Sequence, residues 1–421
     1  MHMGWLASSV SYSSAHAQEH PRKLLAQPIE FTNVLDAFED GALPDVNVGL
    51  SFRRNQRNST IMREQAQAQD TVGGRYVPVA TSTQVTHSLQ LELATGVFHD
   101  VMVYARLPLV LSDTRELKTP SGVQASAAQA ALSDESGNEL FNANYKSATR
   151  SGIPGVDLGL AWGVVNQYST PYLPTWVVSF ETRVGLGKLI RPCSVGETAC
   201  RSGLNRGTAA ITLGSRWSYR VRWIEPYFGL RYVHEWATSA SENFAPHGVV
   251  AGNVDAAPPS MQELTLGAAL VAWEDRARFQ RLAIDVRGFA SYVSAGRDYS
   301  QLFDALGTSH DPQLTAAYPS GGGPVAFNGL TNVASHSRMS AEVALATQAA
   351  RYIRFRLGVV LSHVTSHLLT DAAPCSVDGE GTCGAQSANL LYRPVIDMPG
   401  QRFLRAADLG YDLFANATGQ F

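Results

Sequence analysis

The feature that most limits what this chain can fold into is a set of long alternating segments. Apolar and polar residues alternate over about 45–57, 81–98, 101–114, 154–167, 174–189, 207–220, 223–237, 261–274, 280–295, 336–348, 352–366 and 407–421. Period two is the side-chain period of a β-strand, whose successive residues point to opposite faces. In 85–97, Val85, Leu89, Leu91, Leu93 and Val97 share one face, and Thr86, Ser88, Gln90 and Glu92 the other. In 353–361, Ile353, Phe355, Leu357, Val359 and Leu361 oppose Arg354, Arg356 and Gly358. Strands of soluble proteins run about 5–6 residues. Crossing a bilayer takes about 9–11. The segment lengths therefore favour a membrane barrel over a secreted β-sandwich or propeller, the runner-up fold.

The connections alternate as well. Short ones follow the second, fourth, sixth, eighth and tenth segments. Long ones fall at about 58–80, 115–153, 190–206, 238–260, 296–335 and 367–406. Short periplasmic turns and long extracellular loops are the pattern of bacterial outer-membrane barrels. The expected fold is thus all-β: a closed antiparallel transmembrane barrel of about twelve strands, with both termini periplasmic and outer-membrane lipid as its surroundings. Composition agrees. Charged residues are 16% of the chain, against roughly 25% in soluble domains. No run approaches the roughly 18–20 apolar residues of a transmembrane helix. A net charge of −3 points to no nucleic-acid partner.

Ahead of the barrel, residues 1–17 read as a signal-peptide remnant ending in Ala15-His16-Ala17. In 18–44, Phe31, Val34, Leu35 and Phe38 fall at helical spacing before Gly41 and Pro44. One short amphipathic helix is expected there, docked at the periplasmic mouth or plugging the lumen; the alternative is a loose tail. Four cysteines form two tight pairs, Cys193 with Cys200 and Cys375 with Cys383. Zinc ligands sit closer in sequence, so loop disulfides in an oxidising compartment are the expectation. Trp162, Trp176, Trp217, Trp223 and Trp273 fall toward the short-turn ends and Trp236 toward the long-loop end. They read as an aromatic girdle at the membrane–water interface. The chain ends on an alternating strand closed by Phe421, similar to the C-terminal assembly signal of outer-membrane proteins.

Inward positions carry Glu92, Arg106, Asp157, Glu181, Arg183, Arg216, Arg220, Glu225, Arg231, Glu263, Asp285, Arg287, Arg338, Glu342, Arg354 and Arg356. These are the expected pore-lining residues. They could set the selectivity of a channel, as charged rings do. They could equally fill a narrow barrel with arginine–carboxylate ladders. Arginine outnumbers acid nine to seven in this set, which leans toward anionic or polar solutes.

SGIPGVDLGLAWGVV (151–165) and PTWVVSFETRVGLGK (174–188) resemble consecutive strands of the outer-membrane phenol and aromatic-hydrocarbon transport-type barrels, which are broadly similar to the fatty-acid channels. DAFEDGALPDVNVGLSF with STIMRE also resembles uncharacterised myxobacterial barrels. The resemblance covers about 40 residues in detail. It implies passive movement of small, often hydrophobic molecules across the outer membrane. Twelve segments are fewer than the fourteen strands typical of fatty-acid channels, and no binding residue carries over.

Three functions are therefore open: a channel for a small-molecule solute, a structural or surface-display barrel whose loops bind partners, and a barrel hydrolase. A barrel lipase needs serine and histidine on one lipid-facing side. No strand holds them two apart. His87-Ser88, Ser335-His336-Ser337 and Ser362-His363 are sequence neighbours and point to opposite faces. Only a pair assembled across strands remains. Ser309-His310-Asp311 and Asp378-Gly379-Glu380 read as loop residues rather than as a protease or calcium site. No catalytic residue, metal or cofactor is expected.

Overall fold

The structure is a computed structural model, describing residues 30–35, 45–65, 75–134, 136–196, 202–238, 243–244, 257–314, 327–375, 389 and 391–421. Twelve antiparallel strands close into one ring: β1 (Val46–Gln65), β2 (Arg75–Phe98), β3 (Val101–Lys118), β5 (Gly155–Val165), β6 (Thr175–Gly185), β7 (Thr208–Ser218), β8 (Ile224–Ala237), β9 (Met261–Asp275), β10 (Gln280–Val293), β13 (His336–Ala350), β14 (Ile353–Val364) and β16 (Phe403–Gln420). Each pairs with the next, and β16 closes on β1 with Val48 opposite Gly419. Small strands β4 (Arg150–Gly152), β11 (Gly296–Asp298), β12 (Thr331–Val333) and β15 (His367–Leu368) belong to the long loops.

Alternation decides which side chains see which medium. Leu50, Leu91, Leu230, Leu357 and Leu409 are exposed on the outer face. Between them along the strands, Asp157, Glu181, Asp285, Glu342 and Arg356 are buried. An apolar exterior around a charged interior inverts a soluble protein and defines a membrane-spanning barrel. Five tryptophans face outward near the short-turn ends, and Trp236 lies at the long-loop end of β8. Trp176 stacks on Trp217 with ring centroids 6.1 Å apart, Trp217 stacks on Phe228, and Trp162, Trp223 and Trp273 are exposed. Three of the short turns hold a non-glycine residue in the left-handed region: Asp100, Arg222 and Phe279.

Four strands run well past the expected segments at the long-loop end. The overhangs of β1, β2, β3 and β16 form a wall, and the long loops fold inward against it. Ile61, Val79, Leu117 and Phe403 on the wall pack with Leu132, Leu140, Leu306, Leu314 and Ile396 from three loops. The loops thus share an apolar core and cap the long-loop mouth. Arg63 ties them together, donating to the carbonyls of Ala131 (2.7 Å), Ser133 (3.0 Å) and Val395 (3.1 Å). A second tie is Arg150 on Asp304, whose carboxylate also accepts from the Cys193 amide at 3.2 Å. Cys193 and Cys375 each take part in a disulfide; Cys200 and Cys383 lie outside the described residues.

The helix expected around Phe31 does not form among the described residues. Residues 30–32 make a turn and 33–35 have no regular structure. Phe38, the signal-peptide segment and Asp378-Gly379-Glu380 lie outside the described residues.

Candidate functional site: the lumen

The lumen holds two ion-pair networks on two stretches of wall that meet at β8. On β2, β3, β5, β6 and β8, Arg106 bridges Glu92 (2.6 Å) and Glu181 (2.7 Å). Tyr104 donates to Glu181 at 3.1 Å, and Arg231 approaches Glu181 at 4.0 Å. Arg183 pairs with Asp157 at 2.7 Å. On β8, β10, β13 and β14, Asp285 accepts from Arg287 (2.6 Å), Arg356 (2.6 Å) and the Tyr227 hydroxyl. Glu342 pairs with Arg356 and lies 3.7 Å from Arg287.

The remaining expected positions sit apart from these networks. Glu263 accepts from Ser291 at 3.1 Å. Arg354 donates to Gln348 at 2.7 Å, and Glu225 is fully buried. Arg220 lies in the turn after β7, where it binds Glu274 at 2.9 Å, closer to the mouth than to the pore. Arg216 and Arg338 belong to two features described next.

The first is the N-terminal segment, which crosses between the two walls. Phe31 packs on Tyr227 with centroids 4.6 Å apart and lies under the guanidiniums of Arg216 (5.9 Å) and Arg287 (5.6 Å). Arg216 donates to the Phe31 carbonyl at 2.8 Å. Thr32 hydrogen-bonds Ser218 at 2.7 Å, and Glu30 reaches Arg356 at 4.0 Å. Four residues on, Leu35 is buried among Ala94, Tyr104, Ala161 and Val177 on the other wall. Gly229 makes room: a Cβ there would meet the Phe31 ring at 2.7 Å.

The second is a chamber of about 350 Å³ under the cap, lined among others by Arg57, Gln84, Tyr299, His336, Arg338 and Arg405. Ten residues of β2 separate Gln84 from Ala94, about 33 Å along a strand. The chamber therefore lies in the long-loop half and the crossing segment in the short-turn half. Arg57 and Arg405 were not among the expected pore residues. Arg57 could have been found from its parity with Arg53 and Asn55 on β1. Arg405 could not, because the strand changes parity before it. Ala407 has φ 48°, and the β1–β16 register slips between Asn58 and Thr60. A one-residue bulge moves the residues beyond it to the opposite face, turning Arg405 and Phe403 inward.

His336 and His367 stack beside this cluster with centroids 4.0 Å apart. Both donate Nδ1–H to backbone carbonyls, Ala334 at 3.1 Å and Thr365 at 2.7 Å. Burial, with His336, Arg405 and Arg338 nearby, lowers His367 in its loop to about 4. The unfolded imidazole takes up its proton near pH 6.5. Below that pH the unfolded chain binds more protons, so stability falls as pH drops from 6.5 toward 4. The loss is on the order of 3 kcal/mol. Proteolysis of the loop at 365–402 should accelerate as the medium is acidified across this window, and His367→Gln should flatten the response. An unchanged pH profile in that variant would show that another group controls the cap.

On the outer face, His87 Nδ1 lies 3.0 Å from the Ser112 hydroxyl across the β2–β3 pair. Such a cross-strand pair was the arrangement left open for a hydrolase. Among the described residues, no carboxylate orients the His87 ring. Ser309-His310-Asp311 is a turn: Asp311 accepts from the Gln313 amide at 2.7 Å and His310 is exposed. No cluster of three or more metal-ligating side chains occurs among the described residues.

A closed barrel with an apolar exterior, a charged lumen and a segment crossing it places the chain among membrane-spanning β-barrels. No family model matches it, and no curated protein does. The solved structures similar to it are outer-membrane barrels. An outer-membrane channel from Pseudomonas putida F1 shares 9% identity, covering 90% of this chain and 99% of that one at a TM-score of 0.38. A FadL homologue from Pseudomonas aeruginosa shares 9% over 89% and 90%, at 0.33. The outer-membrane protease OmpT from Escherichia coli shares 9% over 90% and 97%, at 0.34. At these scores the likenesses carry no argument about solute or mechanism.

Proposed function

We propose that the protein is a bacterial outer-membrane channel for passive movement of small molecules, with periplasmic termini and extracellular long loops. The observation that carries this reading is the chamber inside the barrel, between the folded cap and the crossing N-terminal segment. A barrel serving only as a scaffold gains nothing from a polar cavity of about 350 Å³ in its wall-to-wall interior. Residues 18–44 act as the plug of this channel. The outward tryptophans seat it at the membrane–water interface. The cysteines pair within their own loops, Cys193 with Cys200 and Cys375 with Cys383, stapling the cap; a nonreducing peptide map separates this from pairing between loops.

The test is conductance of the refolded full chain in a planar bilayer. Discrete steps with ion selectivity are expected. Silence from folded protein, with and without residues 18–44, would overturn the channel. It would leave the second reading, a surface-display barrel, which the shared apolar core of the cap favours. A hydrolase is the weakest reading, because among the described residues no acid orients the His87–Ser112 pair.

A further inference from the structure

We propose that the chamber under the cap is a binding site for a small organic oxyanion, a carboxylate or phosphate ester, held by Arg57, Arg338 and Arg405. The proposal names a solute class for the channel above and rests on that reading for its physiological role.

The argument starts from charge pairing. Elsewhere in the lumen Arg106, Arg183, Arg287 and Arg356 each meet a carboxylate within 2.7 Å. Arg216 instead holds the Phe31 carbonyl. The chamber is also lined by Glu116, Asp298 and Asp304, but these carboxylates are paired with Lys118, Arg206 and Arg150. Among the described residues the side chains of Arg57 and Arg338 make no ion pair or hydrogen bond, and the Nε of Arg338 is buried without a partner; Asp408 and Glu263 act on Arg338 only at a distance. Arg405 keeps one carboxylate, Asp408, at 2.5 Å. The three cations come from β1, β13 and β16, line one cavity and stand close enough to repel one another. Like charges brought together away from bulk water raise the energy of the empty site. An oxyanion relieves that repulsion, and the planar guanidinium fork matches a carboxylate or phosphate.

The rest of the lining specifies an organic anion over a bare inorganic one. The His336–His367 stack, Tyr299, Val333 and Leu369 give the chamber an apolar side. A flat or aliphatic body fits there while its acidic group meets the arginines.

Titration calorimetry on the refolded full chain in detergent at low salt tests this. The probes are benzoate, its uncharged counterpart benzyl alcohol, and inorganic phosphate. Benzoate should bind, and benzyl alcohol should bind at least about tenfold more weakly. Phosphate should also be weaker than benzoate, and added salt should weaken benzoate binding. Arg57→Gln and Arg338→Gln should each cost about tenfold or more in benzoate affinity. Without ligand, Arg338→Gln should raise the urea midpoint, since it removes repulsion.

Equal binding of benzoate and benzyl alcohol would overturn the proposal, as would unchanged benzoate affinity in the double variant. A lowered urea midpoint in Arg338→Gln would make that arginine structural and overturn it too. Phosphate binding as tight as benzoate would overturn the organic part. Benzoate binding by a silent barrel would sink the channel and keep the site. Conductance without benzoate binding would do the reverse.

Discussion

A chain lacking residues 18–44 is expected to pass several times the single-channel current of the full chain. Among the described residues the crossing segment is held by a handful of contacts, Thr32 on Ser218 and Glu30 near Arg356 among them. Phe31 lies between Tyr227 and two guanidiniums, Arg216 holds its carbonyl, and Leu35 fills an apolar recess on the other stretch of wall. Removing one ring should therefore release it in part. Each cation–π contact is worth about 0.5–2 kcal/mol. Phe31→Ala removes two such contacts, at least about 1 kcal/mol together, and should raise the open population about fivefold or more. Gly229→Val reaches the same state from the wall, because its side chain would occupy the space of the ring. Bilayer recordings of the three variants beside the full chain check this. Equal conductance in all four, with folding confirmed by a heat-modifiable gel shift, would mean the segment does not obstruct the pathway.

The barrel was legible in the sequence because one physical signal repeats in every strand. Lipid outside and charge inside force period two, and all twelve expected segments are strands of the ring. The lumen was legible by the same parity. It puts Asp285 and Arg287 two residues apart on one inward face, and the two side chains form an ion pair there. Parity failed where the backbone breaks it: the bulge at Ala407 hid Arg405, and nothing in the local composition marks that bulge. The cap was not legible either. Its core joins Ile61 to Leu306 and Phe141 to Phe403 across hundreds of residues. Polar, glycine-rich loops carry no periodicity to announce such packing. The helical spacing of Phe31, Val34, Leu35 and Phe38 suggested a helix, and the described part of it, 30–35, is a turn followed by irregular chain. Contacts of Phe31 and Leu35 with the two stretches of wall fix this part, not a shared helix face.

Asp285→Ala is expected to cost about 3–5 kcal/mol of unfolding free energy, read as a lowered urea midpoint of the refolded barrel. The side chain is 3% exposed and accepts from Arg287, Arg356 and Tyr227. Deleting it leaves two buried guanidiniums with Glu342 as their close carboxylate and exposed Glu30 at 4.0 Å from Arg356. Breaking a buried pair is costly because the surviving charge stays desolvated. Glu92 is the internal control. It also binds an arginine at 2.6 Å, yet its side chain is 37% exposed. Glu92→Gln should cost less than about 1 kcal/mol but shift the channel's anion preference, since it removes a charge that faces water. The contrast separates two roles for chemically identical ladders. The network around Asp285 holds the barrel wall and meets Phe31 of the crossing segment, whereas the network around Glu92 is open to water. Equal stability losses in the two variants would mean that water reaches both walls alike, and the division of labour would fall.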